Sequence, residues 1–150
     1  MVLRATDTES LGFVVLAAGD GGRLGRQTAS TPKPLVPIGG RPLISYTLRA
    51  LSDAGLREAV VVLGYRGAQV RDALLRDSHG LRLDYAWNAD FHGGASLSLR
   101  AARSCLGPEP FLLVMADHML SAGIIRRLLD AWRPGGPGLV ATDSAPWHEA

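Results

Sequence analysis

Three short, uninterrupted apolar runs punctuate the chain: Phe13 to Ala18 (FVVLAA), Ala59 to Leu63 (AVVVL) and Phe111 to Ala116 (FLLVMA). Runs of this length without alternation suit strands covered on both faces. The first strand is read as Leu11 to Ala18, and the third run ends on Asp117. Between the second and third, Leu81, Leu83, Tyr85 and Trp87 alternate with Arg82, Asp84 and Ala86, as expected of an edge strand with a solvated face. The segments between have helical spacing. From Arg41, with Pro42 in the first turn, Ile44, Leu48 and Leu51 recur at i, i+4 and i+7 until Gly55. Residues 67–77 place Val70, Ala73 and Leu74 inward, and Ala95 to Leu106 forms a third helix. Ser121 caps a fourth, whose apolar face carries Ile124, Ile125, Leu128, Leu129 and Trp132 before Pro134 and Gly135 stop it. A fifth strand is expected over Gly138 to Thr142, and residues 1–10 read as a loose lead-in.

Strands alternating with helices predict an α/β fold: a Rossmann-like three-layer αβα sandwich with a mainly parallel sheet, as one domain spanning residues 1–150. In such sheets ligands bind beyond the carboxyl ends of the strands, where strand order reverses. An order of 3-2-1-4 makes the first and fourth strands neighbours. Asp117 then faces the loop that follows Ala18 across one crevice.

Composition narrows the partners. With 47% hydrophobic and 20% charged residues the chain is an ordinary globular domain, and a formal charge of +2, its arginines scattered, gives no reason to expect nucleic acid or membrane as partner. Cys105 is the only cysteine, so an internal disulfide or a Cys-rich metal site is excluded, and a reducing compartment fits. No run has membrane-spanning length and the first ten residues are too polar for a signal peptide, which makes the cytoplasm the expected location. Four histidines without partner patterns suggest no transition-metal site. Nothing in the pattern sets an oligomeric state.

The chemistry concentrates between Phe13 and Ile38. The first strand empties into Gly19, Gly21, Gly22 and Gly25 around Arg23, and the stretch closes on Pro32-Lys33-Pro34-Leu35. Glycines let backbone N–H groups converge on an anion, and Arg23 and Lys33 add full charges, so the stretch reads as a phosphate cradle. Of sixteen basic residues fifteen are Arg, and Lys33 is the only Lys. A compact ammonium kept at one position suggests that a guanidinium does not serve there. The P-loop pattern is absent, and Leu24 stands where a dinucleotide fingerprint needs its third glycine.

Three segments carry a family resemblance: Leu16 to Leu24 (LAAGDGGRL), Thr31 to Val36 (TPKPLV) and Gly39 to Ile44 (GGRPLI), continued through Asn88, Gly94 to Leu99, and Asp117. Together they resemble the sugar-phosphate nucleotidyltransferases, most closely the inositol-1-phosphate cytidylyltransferases, because Ala116-Asp117-His118 is similar to their Gly-Asp-His. Gly94 to Ala102 fits molybdenum-cofactor nucleotidyltransferases about as well. The resemblance implies a nucleotide-diphospho-sugar transferase type of fold lacking its C-terminal part. It implies transfer of a nucleotidyl group from a nucleoside triphosphate, CTP favoured, to a phosphorylated small-molecule acceptor, with Mg²⁺ as cofactor. Arg23 would hold the β- and γ-phosphates and Lys33 the α-phosphate, as the catalytic residues. Leu16, Ala17, Ala18, Gly19, Asp20, Gly21 and Gly22, with Asn88, Gly94 and Ser98, would bind the nucleotide, and Asp117 the metal.

Blander readings stand beside these. Asn88 is also a natural turn former, Ser98 a plain helix residue, His118 a mere hydrogen-bond partner of Asp117, and Asp143 a solvated turn carboxylate. Asp20 is expected to turn outward from a loop meant for anions. Residues 27–30 read as a flexible crossing or a lid, and Cys105 and Trp132 as core packing. A non-catalytic nucleotide-binding or regulatory module is the alternative to an enzyme.

Overall fold

The computed structural model describes residues 11–22 and 30–142. The lead-in, Arg23, Leu24, Gly25, residues 27–29, Asp143 and His148 lie outside the described residues. Four parallel strands form the sheet: β1 (Gly12–Ala17), β4 (Glu58–Leu63), β5 (Arg82–Trp87) and β6 (Phe111–Met115), in the order β5-β4-β1-β6. This is the expected 3-2-1-4 order. Val14 pairs with Val60 on one side and with Leu113 on the other, so β1 sits inside the sheet and its apolar run is buried from both faces.

Three helices cover one face and one covers the other, giving the three layers. On the first face α1 (Leu43–Asp53), α2 (Gly67–Arg76) and α4 (Ala122–Ala131) bring Ile44, Leu48, Val70, Leu74, Ile125 and Leu129 against Phe13, Val15, Val61 and Val114. On the second, α3 (Ala95–Leu106) presents Ala102 to Val14, Leu16, Val60, Val62 and Ala86. A small residue there lets α3 lie close to the sheet. No described helix is long and apolar enough to cross a membrane.

Differences from the sequence reading have local causes. Helix α1 starts at Leu43 instead of Arg41, because Pro37–Ile38 (β2) and Arg41–Pro42 (β3) pair as a tiny antiparallel hairpin. Gly39 and Gly40, at φ 54° and 80°, supply its turn, the left-handed pair that a two-residue hairpin loop needs. Pro42 is thereby an extended N-cap (ψ 139°) and not a first-turn residue. In edge strand β5 the buried residue is Ala86, while Trp87 is 52% exposed and lies over the start of α2 beside Arg71. The expected strand at Gly138 to Thr142 is not formed; Val140 is 83% exposed, since an apolar run becomes a strand only with a partner for its backbone groups. Cys105 is exposed, because α3 turns Ser98 and Ala102 to the sheet, whereas Trp132 packs half-buried on the larger core as expected.

One crossing matters for the site. After β4 the chain passes so near β1 that a Cβ on Gly64 would lie 2.6 Å from the Ala18 carbonyl oxygen and 2.8 Å from the Cβ atoms of Ala18 and Phe91. Backbone and Cβ atoms cannot swing away as a side-chain tip can. Gly64→Ala is therefore expected to destabilise the fold by about 1–3 kcal/mol, read as a lowered urea midpoint at unchanged slope; an unchanged midpoint would contradict this packing.

Candidate functional site

A cavity of about 780 Å³ opens at the carboxyl ends of β1 and β6. That is the switch point, where the chain leaves the β1-β4-β5 series and crosses to the other side of β1. Its volume lies in the range of small-molecule sites. Residues 16–22 line one wall, Gly94, Ala95 and Ser98 a second, and Lys33, Ala116 and Asp117 a third. Of the residues given a catalytic, nucleotide-binding or metal role from sequence, all line it except Asn88 and Arg23, the latter outside the described residues.

Each wall has a local reason. Gly21 takes φ 71°, which bends the glycine loop back over the end of β1. The Asp20 side chain is part-exposed: its Oδ1 accepts the Gly22 N–H at 3.0 Å, and its Oδ2 lies 3.6 Å from Nδ1 of the exposed His92. A carboxylate thus takes up one of the N–H donors expected to serve a phosphate. At the second wall Gly94, at φ 89°, redirects the chain into α3, whose N-terminus has no side-chain cap and opens on the cavity. Uncapped first-turn N–H groups and the helix dipole favour an anion or a base carbonyl there.

Asn88 stands behind this wall. Its Nδ2 donates to Ser98 Oγ at 3.0 Å and its Oδ1 accepts the Asp90 N–H at 3.0 Å, both side chains being buried. Asn88 is thus a turn former that also orients Ser98.

The third wall joins two distant segments. Pro32 and Pro34 are buried on either side of Lys33 in a short 3-10 turn, Lys33–Leu35, closed by Leu35 N–H to Pro32 O at 2.8 Å. Fixed proline φ angles leave the lysine little choice of direction. Lys33 Nζ donates to Asp117 Oδ2 across the cavity floor, the side chains being 32% and 29% exposed. Burial pushes the Asp117 carboxyl up, but the hydrogen bond and charge of Lys33, with His118 beyond, outweigh it and hold the group below the ordinary carboxylate range. Asp117 Oδ1 is buried with no hydrogen-bond partner among the described residues, His118 Nε2 lying at ion-pair distance, 3.8 Å. An ionised oxygen without a hydrogen-bond donor suits a hard cation. Among the described residues no group of three or more His, Cys, Asp or Glu surrounds it.

Two contributors lay beyond the sequence reading. Phe91, in the 3-10 turn Phe91–Gly93, reaches the cavity and stacks edge-on with Tyr65 at 5.8 Å. Thr47, on α1, is 1% exposed with its hydroxyl among the carbonyls around Asp117.

Comparison with known proteins gives the family. The family model described as a MobA-like NTP transferase domain matches residues 13–149. The CMP-5'-(3-aminopropyl)phosphonate synthase of Streptomyces rubellomurinus is 38% identical over 119 residues, covering 79% of this chain and 19% of that protein. The bifunctional IPC transferase and DIPP synthase of Rubrobacter xylanophilus is 38% identical over 144 residues, covering 95% of this chain and 31% of that protein. Among solved structures, a nucleotidyl transferase from Methanothermobacter thermautotroptrophicus superposes with TM-score 0.68 at 29% identity, over 82% of this chain and 58% of that one. The chain thus spans less than two thirds of the length of each of these relatives.

Proposed function

Because the chain belongs to the family of MobA-like NTP transferase domains, we propose that its cavity binds a nucleoside triphosphate, CTP first, and transfers the nucleotidyl group to a sugar or polyol phosphate such as inositol 1-phosphate. The observation that carries this reading is the convergence of the glycine loop, Lys33 and Asp117 on one cavity at the switch point. The Streptomyces relative, named for a CMP product, favours cytidine. A cytoplasmic setting, where nucleoside triphosphates are made, belongs to the same reading.

In the reaction the acceptor's phosphate oxygen attacks the α-phosphorus in line, the bond from that phosphorus to the bridging oxygen breaks, and pyrophosphate leaves with the bond's electrons. The protein's part is to position two anions and disperse charge. Backbone N–H groups of the glycine loop hold phosphate, the α3 N-terminus with Gly94 and Ser98 holds base or ribose, and Lys33 neutralises the α-phosphate oxygens as charge builds. Arg23 serves the β- and γ-phosphates. Asp117 would hold Mg²⁺ through Oδ1, which has no hydrogen-bond partner among the described residues, and the bound cation would draw charge from the phosphate oxygens.

A pyrophosphate-release assay tests this with CTP, GTP, UTP and dTTP, each against a panel of acceptor phosphates with Mg²⁺. Turnover is expected, fastest with CTP. Nucleotide binding without turnover for any pair would instead mark the chain as a binding module.

A further inference from the structure

Asp117 sits two residues past the end of β6, in a turn and not in a regular element. Backbone bonds hold that turn to β1, by Ala116 N–H to Leu16 O at 3.0 Å, and within itself, by His118 N–H to Met115 O at 3.2 Å and Leu120 N–H to His118 O at 3.0 Å. The tie to the helix layer comes from Thr47. Its Oγ1 lies 3.0 Å from His118 O and 3.4 Å from both Met115 O and Ala116 O, so carbonyls on either side of Asp117 surround one hydroxyl. Thr47 shares the buried stripe of α1 with Ile44 (0% exposed) and Leu48 (0%), which root that helix in the core.

A hydroxyl on such a stripe costs free energy unless it is hydrogen-bonded. In a helix it can be satisfied by the carbonyl four residues back, yet here it reaches a partner 71 residues away. Valine has the same shape and would pack the stripe without that cost. We propose that Thr47 is a positioning residue, its hydroxyl locking the 115–118 turn to α1 so that the Asp117 carboxylate stays on Lys33 and over the cavity. The kinetic consequence rests on the transferase reading; the geometric one does not.

The chain offers a direct probe, since Lys33 is its only lysine: ¹⁵N labelling of lysine side chains yields a single ammonium resonance. Asp117→Asn supplies the reference for an ammonium without its carboxylate. Thr47→Val is expected to move the resonance more than half the way to that reference, and Thr47→Ser to keep it near wild type. In turnover, Thr47→Val is expected to lower kcat by about tenfold or more with KM for the nucleotide nearly unchanged, since small misplacements at a reacting centre cost rate first. If valine prevents folding, the serine and alanine variants differ by one oxygen and isolate the hydroxyl equally well. A Thr47→Val or Thr47→Ala resonance at the wild-type position, whatever the melting temperature, overturns the proposal. So does a serine variant that shifts as far as alanine. A chain without turnover whose resonance still responds as described keeps the positioning role and removes the transferase reading.

Discussion

Lys33→Ala is expected to slow pyrophosphate release by about 10²- to 10³-fold, the scale of losing one preorganised donor to a developing oxyanion, while the nucleotide dissociation constant changes by less than about threefold. The difference follows from where the charge appears. On the proposed reading the glycine loop and the α3 N-terminus would also hold the nucleotide in the ground state, so one ammonium among several donors would matter little. As the acceptor oxygen closes on the α-phosphorus, negative charge grows on the oxygens nearest Lys33, and a contact that strengthens only then contributes to kcat. Buried Pro32 and Pro34 keep the ammonium aimed at the cavity before substrate arrives, so little reorganisation accompanies reaction. Lys33→Arg is expected to recover little, because a longer planar fork does not fit the spot that a compact ammonium fills against Asp117. Calorimetric titration of the nucleotide beside steady-state rates decides the matter. Losses in affinity and rate of the same size would contradict the transition-state role.

The parts of this site that were legible in the sequence are those where one residue type has one structural use. All three unbroken apolar runs became strands, but only those of β1 and β4 are buried throughout: β6 lies at the sheet edge with Phe111 and Leu113 exposed, and the order β5-β4-β1-β6 brings residues 16–22 opposite Asp117. The glycine loop and the lone lysine between prolines were likewise visible. What escaped depends on partners distant in sequence. Thr47 reads as a mild flaw on the apolar face of α1, and only the tertiary fold shows three carbonyls waiting for it. A polar residue interrupting a strong apolar stripe was the available signal. Asp20 was expected to turn outward; its carboxylate is part-exposed, and its bond to the N–H two residues on was not foreseen. Residues 138–142 have strand composition and no strand, because composition cannot supply a neighbour. Cys105 lies one position from the half-buried Leu106, and periodicity alone does not resolve a single step of rotation about α3.

Asp117→Asn should have the largest effect of any single substitution described. Losing the carboxylate removes the candidate cation ligand and the partner of Lys33 together, and several kcal/mol of transition-state stabilisation correspond to a drop on the order of 10³-fold in turnover. Mg²⁺ should raise nucleotide affinity in the wild type and not in the variant, measured by titration with and without the metal. Protonation does not mimic this loss near neutral pH. Because Lys33 holds the carboxyl below its unfolded range, the pair's contribution to stability is complete above about pH 4, the unfolded carboxyl's pKa, and disappears as pH falls through the lower folded value. Metal dependence should therefore be flat from pH 6 to 8 as far as this group is concerned. Since both side chains are partly exposed, the structural cost should stay near about 1 kcal/mol, too small to account for the kinetic one. Adding Lys33→Ala to Asp117→Asn should cost less than the two single losses multiplied, because residues in contact do not act independently. If Asp117→Asn keeps its Mg²⁺ response, or the double variant's loss equals the product of the single ones, the carboxylate and the ammonium do not form one working unit.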